Sequence, residues 1–169
     1  MENKTPPQTC RCSVSIRGLT VKKHDGLILD HIDLDVRHGE ILALIGRNGA
    51  GKTTLLKALL GRCPYTGEII YHNHRGQVIQ KPRIGYVPQE LSLYSALTGL
   101  ENLMFWGLAC GLPRRTAAIR SRWLLEQLEL SEKGRQAVSA YSGGMKRRLH
   151  LASALMVTPR MLLLDEPTV

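Results

Sequence analysis

EILALIGRNGAGKTTLLKALLG, residues 40–61, sets an apolar run, a glycine-rich turn and a helix in immediate succession. The run from Glu40 to Ile45 carries no alternation, so it predicts a buried strand of a parallel sheet. Helix-forming residues continue from Gly51 through Leu60, with Gly61 placed as a stop. Between strand and helix, Gly46, Arg47, Asn48, Gly49, Ala50, Gly51, Lys52 and Thr53 fit the pattern G-x-x-x-x-G-K-[ST]. Glycines let the backbone wrap closely around a phosphate, because positive φ angles cost them little. Amide groups and the dipole at the helix start then favour the anion. Lys52 would reach the β- and γ-phosphates of a nucleotide, Thr53 would place its hydroxyl on Mg²⁺, and Thr54 completes the binding set.

The end of the chain supplies carboxylates. Leu162-Leu163-Leu164-Asp165-Glu166 is an apolar strand with two acids at its C-terminal end, where α/β sheets bind ligands. Asp165 would hold Mg²⁺ through water, and Glu166 is suited to orient or deprotonate an attacking water. A phosphate loop alone would fit a kinase, a GTPase or a motor. Between loop and acids, however, stands Tyr141-Ser142-Gly143-Gly144-Met145, in which Ser142 caps a helix and Gly143 and Gly144 expose amides.

This resembles the signature of the ATP-binding-cassette family, whose usual form is L-S-G-G-Q, and the likeness runs from about Val14 to Val169. The resemblance implies an α/β fold of the P-loop NTPase type: a RecA-like core, an N-terminal antiparallel β subdomain and an α-helical insert at about 92–140. It implies ATP and Mg²⁺ as cofactors and a head-to-tail dimer in which Ser142, Gly143 and Gly144 face the ATP of the other subunit. Gln89 matches the family's Q-loop glutamine, which contacts Mg²⁺ and the water and links the site to the helical insert. The implied catalytic set is therefore Lys52, Gln89 and Glu166, and the metal set is Thr53, Gln89 and Asp165. His24 sits where the family places an aromatic residue that stacks on adenine. The run SGGMKRR, residues 142–148, is similar to the exporter branch that handles drugs, antibiotics and related amphiphiles.

The resemblance thus implies an ATP-hydrolysing subunit, cytoplasmic and peripheral at the inner membrane face, that powers export by a separate transmembrane permease; no nucleic acid is expected. Two other readings remain: a truncated, non-hydrolytic nucleotide-binding module, and a soluble ATPase of the same family acting on nucleic acid. The chain also departs from the family pattern. It stops at Val169, where the family continues into a D-loop and a strand ending in a switch histidine. None of His24, His31, His38, His72, His74 or His150 lies downstream of Glu166. The last core strands are thus expected to be missing, which would leave two central strands without ladder partners. The isolated 169-residue chain is expected to be poorly stable and to hydrolyse ATP slowly or not at all.

Length and composition agree with one globular domain, residues 13–169, behind a disordered leader at 1–12. Hydrophobic residues make up 43% and charged residues 22%, which excludes a wholly disordered chain. The start MENKTPPQTCRC has no apolar core and is no secretory signal. The longest uncharged apolar run, Leu103 to Leu112, is about half of the roughly 20 residues a membrane span needs. Cys10, Cys12, Cys63 and Cys110 lack paired zinc spacing and read as reduced thiols. The net charge is +9, and nine basic residues against three glutamates lie between Gly111 and Arg148. A solvated helical face explains this surplus better than a phosphate-rich partner, because no aromatic residues interleave with the charges.

The remaining elements follow from periodicity. Ser13 to Asp35 predicts an antiparallel strand or two, with turns at Gly18 and at His24-Asp25-Gly26. A turn is expected at Arg37–Glu40, a hairpin from Glu68–Tyr71 and Gln77–Ile79, and a strand from Arg83 to Val87. Thr98-Gly99-Leu100-Glu101 is a capping-box pattern ahead of the apolar helix Leu100–Cys110. Thr116 to Leu130 predicts an amphipathic helix with Ile119, Trp123, Leu124 and Leu128 on its apolar face.

Overall fold

The computed structural model describes residues 12–23 and 26–166 and divides the chain into two units, Met1–Pro82 and Arg83–Val169. The expected leader, apart from Cys12, and His24-Asp25 lie outside the described residues.

In the first unit, β1 (Cys12–Lys23), β2 (Gly26–Arg37), β3 (Thr66–His72) and β4 (Val78–Ile79) form an antiparallel sheet in the order β2-β1-β3-β4. Gly18, expected as a turn, instead lies inside β1 as a bulge. The reason is parity. Val14 and Ile16 are buried on one face, and so are Leu19 and Val21, which an unbroken strand would place on the other. One extra residue restores the phase, and Gly18 supplies it at φ 56°. Asp33 Oδ1 accepts from the Gly18 amide at 2.6 Å and steadies the bulge from β2.

Helix α1 (Lys52–Leu59) buries Thr54, Leu55, Leu56, Ala58 and Leu59. It ends as the sequence predicts. The Gly61 amide bonds to the Ala58 carbonyl at 2.8 Å and the Arg62 amide to the Lys57 carbonyl at 2.8 Å, the paired bonds of a glycine-terminated helix. Tyr71 Oη on β3 donates to the Leu59 carbonyl at 2.9 Å, and burial pushes that phenol up to about 12.

The segment between β2 and α1 corrects the expectation. The turn at Arg37–Glu40 forms, with the Glu40 amide on the Arg37 carbonyl at 3.2 Å. Residues 40–46 then form no strand, and Ile41 and Ile45 are 98% and 95% exposed. An apolar run becomes a strand only where a neighbour takes its N–H and C=O groups. Among the described residues no strand pairs with this one.

In the second unit, β5 (Ile84–Val87) pairs in parallel with β6 (Met161–Leu164), from Ile84 opposite Met161 to Val87 opposite Leu164. Three helices enclose the core: α2 (Gly99–Ala109), α3 (Arg114–Gln127) and α4 (Gly143–Leu155). Leu103, Leu124, Leu130, Leu149 and Met156 are almost wholly buried there. Helix α2 opens with the expected capping box: Thr98 Oγ1 accepts from the Glu101 amide at 3.2 Å, and Glu101 Oε2 accepts from the Thr98 amide at 2.8 Å. The Thr98 amide and the Thr98 hydroxyl, each donating to Glu101 Oε2 at 2.8 Å, hold the Glu101 carboxyl below its usual range.

Helix α3 forms, but the expected face is partly wrong. Ala117, Ser121, Leu124 and Leu125 are buried, while Ile119 is 68% and Trp123 49% exposed. Small residues let α3 sit close to its neighbours, a role that hydrophobicity does not flag. Part of the basic surplus is also structural. Arg120 on α3 donates through Nε and Nη2 to the Leu155 carbonyl at 3.1 and 2.7 Å, at the end of α4. Arg148 on α4 donates in return to the Leu128 carbonyl at 2.9 Å, just past the end of α3. Each cation caps the other helix's C-terminus, where unpaired carbonyls and the dipole favour it.

Candidate functional site

The first unit holds the glycine-rich loop. The Ala50 amide bonds to the Arg47 carbonyl at 3.1 Å, which makes a tight turn through Asn48 and Gly49. Gly46, Arg47, Asn48, Gly49 and Ala50 are exposed. Gly51, the residue before α1, is buried with φ 91°. A Cβ there would lie 2.7 Å from Leu29 Cδ2 and 3.2 Å from the Ile28 carbonyl oxygen, so both conformation and space require glycine. No side chain caps α1 and no acid lies in its first turn. The amides of that turn precede the first intrahelical bond, from Leu55 to Gly51, so they form a cradle suited to an anion. Lys52 Nζ folds back to the Gly46 and Arg47 carbonyls at 2.8 and 3.0 Å, which keeps its charge over the loop. Thr53 and Thr54 follow in the helix, half-buried and buried. His24 falls outside the described residues.

The second unit brings together the polar residues at the ends of β5 and β6. Gln89 Nε2 donates to Glu166 Oε2 at 2.7 Å. The Asp165 amide continues the ladder to the Val87 carbonyl at 2.9 Å, and Tyr86 Oη donates to Asp165 Oδ2 at 3.2 Å. Asp165 is 5% exposed. Glu166 leaves the strand at φ 49°, a turn that swings its side chain towards Gln89. Residues 77 apart in sequence thus meet at the C-terminal edge of a parallel pair.

In the same unit Ser142 caps α4, its Oγ accepting from the Met145 amide at 3.3 Å. Gly143 and Gly144 are exposed, and a Cβ at either would meet nothing within 4 Å. Burial of Tyr141 and its bond from Oη to the Lys133 carbonyl, at 2.7 Å, fix the turn from behind.

The donor sets suit a magnesium–nucleotide pair. In the first unit Thr53 offers a hydroxyl oxygen of the hard kind Mg²⁺ prefers, and the loop offers amides and an ammonium group to phosphate; in the second unit Gln89 and Asp165 offer oxygens of the same kind. Among the described residues no group of three or more His, Cys, Asp or Glu could hold a metal by itself.

Sequence reading missed three contributors. Tyr86 reaches Asp165 across the β5–β6 pair. His150, 3% exposed on α4, accepts from the Ser92 amide through Nε2 at 3.3 Å, and burial pushes its imidazole below the ordinary value of 6.5. Asn102 is wholly buried on α2 and bonds to both main-chain groups of Tyr94. All three contacts are long-range or depend on a loop path, so no local pattern announces them.

A family model described as ABC transporter matches residues 29–169. The chain belongs to the ABC transporter family. It is 40% identical over 160 residues to the linearmycin resistance ATP-binding protein of Bacillus subtilis (strain 168), covering 91% of this chain and 51% of that protein. It is also 40% identical over 165 residues to the doxorubicin resistance ATP-binding protein of Mycobacterium tuberculosis (strain H37Rv), covering 92% and 49%. Among solved structures it resembles cbiO1 from Clostridium perfringens, part of the ABC transporter complex cbiONQ. That match has a TM-score of 0.80 and 25% identity, covering 94% of this chain and 66% of that one. The chain spans about half the length of the relatives it matches. Its fold is the α/β fold of ABC transporter nucleotide-binding domains, with an antiparallel β subdomain and four helices.

Proposed function

We propose that this chain is the ATP-binding and hydrolysing part of an ABC exporter. The observation that carries the reading is the Gln89–Glu166 pair at the ends of β5 and β6, beside the buried Asp165. In this reading Gly46 to Gly51 wrap the phosphates, Lys52 neutralises the β- and γ-phosphate charge, and Thr54 closes the set. Mg²⁺, held by Thr53, Gln89 and Asp165 with phosphate oxygens, would neutralise charge that develops in the transition state. Glu166 orients and deprotonates the water, and Gln89 holds that carboxylate in place.

The Ser142-Gly143-Gly144 helix start serves a nucleotide bound to a second copy, in a head-to-tail dimer. A separate permease would cross the membrane; among the described residues no helix is long and apolar enough to do so. The domain would work at the cytoplasmic face, and residues 92–140 would form its helical insert. Names of the relatives, linearmycin and doxorubicin resistance, favour an amphiphilic drug-like cargo. Nucleic acid is a weaker reading, because Arg120 and Arg148 of the basic surplus are engaged in capping helices.

Calorimetric titration of the whole protein with MgATP tests the binding step. Wild type is expected to bind, and Lys52→Ala to bind at least about tenfold more weakly, as loss of a charge-assisted phosphate contact requires. Equal affinity in the two would overturn the assignment of the loop.

A further inference from the structure

In the segment that follows Gln89, side chains take main-chain groups of Ser92 and Tyr94. The Ser92 amide is taken by His150 Nε2 on α4 at 3.3 Å, and the Ser92 carbonyl by Trp106 Nε1 on α2 at 3.2 Å. Two residues on, Asn102 does the same for Tyr94. Its Oδ1 accepts from the Tyr94 amide at 2.8 Å, and its Nδ2 donates to the Tyr94 carbonyl at 3.0 Å. The same Nδ2 also lies 3.0 Å from the Thr98 carbonyl. Alternate residues of an exposed loop thus have both peptide groups clamped, as a neighbouring strand would clamp them.

His150 is the one member of the clamp that stands on α4. It lies eight residues after Ser142, about 12 Å along the helix from the Ser142-Gly143-Gly144 start. It is buried, and its ring must be unprotonated at Nε2 to accept the Ser92 amide. Ser92 in turn lies three residues after Gln89, whose side chain rests on Glu166.

We propose that His150 is a positioning residue: through Ser92 it ties helix α4 to the loop that aims Gln89 at Glu166. The proposal rests on the reading that Gln89 and Glu166 serve ATP hydrolysis. A shift of α4, whose first turn carries Ser142 and both glycines, then reaches Gln89 by way of one hydrogen bond. With leucine at position 150 the Ser92 amide turns to water, and Gln89 loses its fixed approach. Misplacement of a catalytic group by about 1 Å costs up to 10²-fold in rate, while substrate binding can stay intact.

Steady-state ATP hydrolysis by the whole protein tests this with three variants. His150→Leu is expected to lower kcat about tenfold with KM for ATP changed less than about twofold. His150→Gln, whose amide oxygen can accept the same N–H, should recover to within about threefold of wild type. Trp106→Phe, which removes the second hold on Ser92, should lower kcat about threefold. Two kinetic results overturn the proposal: a His150→Leu kcat within about twofold of wild type, or a His150→Gln kcat no better than that of His150→Leu. A wild type with no turnover defeats the hydrolysis reading instead, and amide exchange at Ser92 then decides the clamp alone. Exchange at least about tenfold faster in His150→Leu than in wild type and His150→Gln supports it, and equal rates sink it.

Discussion

Two apolar runs, one in each unit, end in opposite states. Met161–Leu164 lies in register against Ile84–Val87 and buries Leu163 to 8% exposure. Residues 40–45, just as apolar, make no ladder and leave Ile41 and Ile45 almost fully exposed. Both runs lead into polar groups that the family reading needs, Asp165 and Glu166 after one, Gly46 to Thr53 after the other. The difference shows that hydrophobicity nominates a strand and a partner makes it one. It also shows how a loop can hold its shape without its entering strand: α1 packs through its own buried face, and Gly51 sits directly on Leu29 and Ile28.

The largest effect is expected from truncating the paired run. Leu163→Ala should destabilise the 169-residue chain by about 2–4 kcal/mol, from lost burial and the cavity left behind. Ile45→Ala, at a side chain that touches mostly water, should change stability by less than about 0.5 kcal/mol. Urea unfolding of the two variants measures both, and equal losses would erase the contrast. A smaller effect belongs to the point where the unpartnered run regains packing. Gly51→Ala forces a left-handed φ on alanine and drives its Cβ into Leu29, at a cost of about 1–3 kcal/mol. Thermal unfolding of that variant should show the loss, and an unshifted midpoint would mean the loop is free of β2.

The smallest effect is one of pH. Burial lowers the His150 pKa in the folded chain, so the unfolded chain binds the proton more readily. Stability from the neutral ring is therefore complete above about pH 6.5 and is lost as pH falls from there through the lowered folded value. Urea midpoints from pH 7.5 to 5 should fall in wild type and fall less in His150→Gln. Parallel curves would place the titrating group elsewhere.

What could be read from sequence was local. The loop at 46–53, the capping box at Thr98, the Ser142 cap and the acids after β6 each lie within a few residues, where pattern and geometry coincide. The parallel pairing that brings Gln89 to Glu166 joins residues 77 apart in sequence, which no local spacing encodes. Three features escaped for physical reasons. Gly18 reads as a turn because a bulge and a turn use the same residue, and only the burial of Leu19 and Val21 tells them apart. Ala117 and Ser121 form the buried stripe of α3 because close helix packing rewards smallness, whereas Ile119 and Trp123 look like core and face outward. His150 and Asn102 bond to loop main chain, and such polar contacts follow from a path that no periodicity encodes.

Hydrolysis of MgATP by the whole protein, with Glu166→Gln measured beside it, tests the central claim most directly. The account predicts turnover by wild type and a loss of at least about 10²-fold in kcat for Glu166→Gln, with ATP binding retained. Equal rates in the two proteins would contradict it, because the water would then be activated without the carboxylate that Gln89 holds.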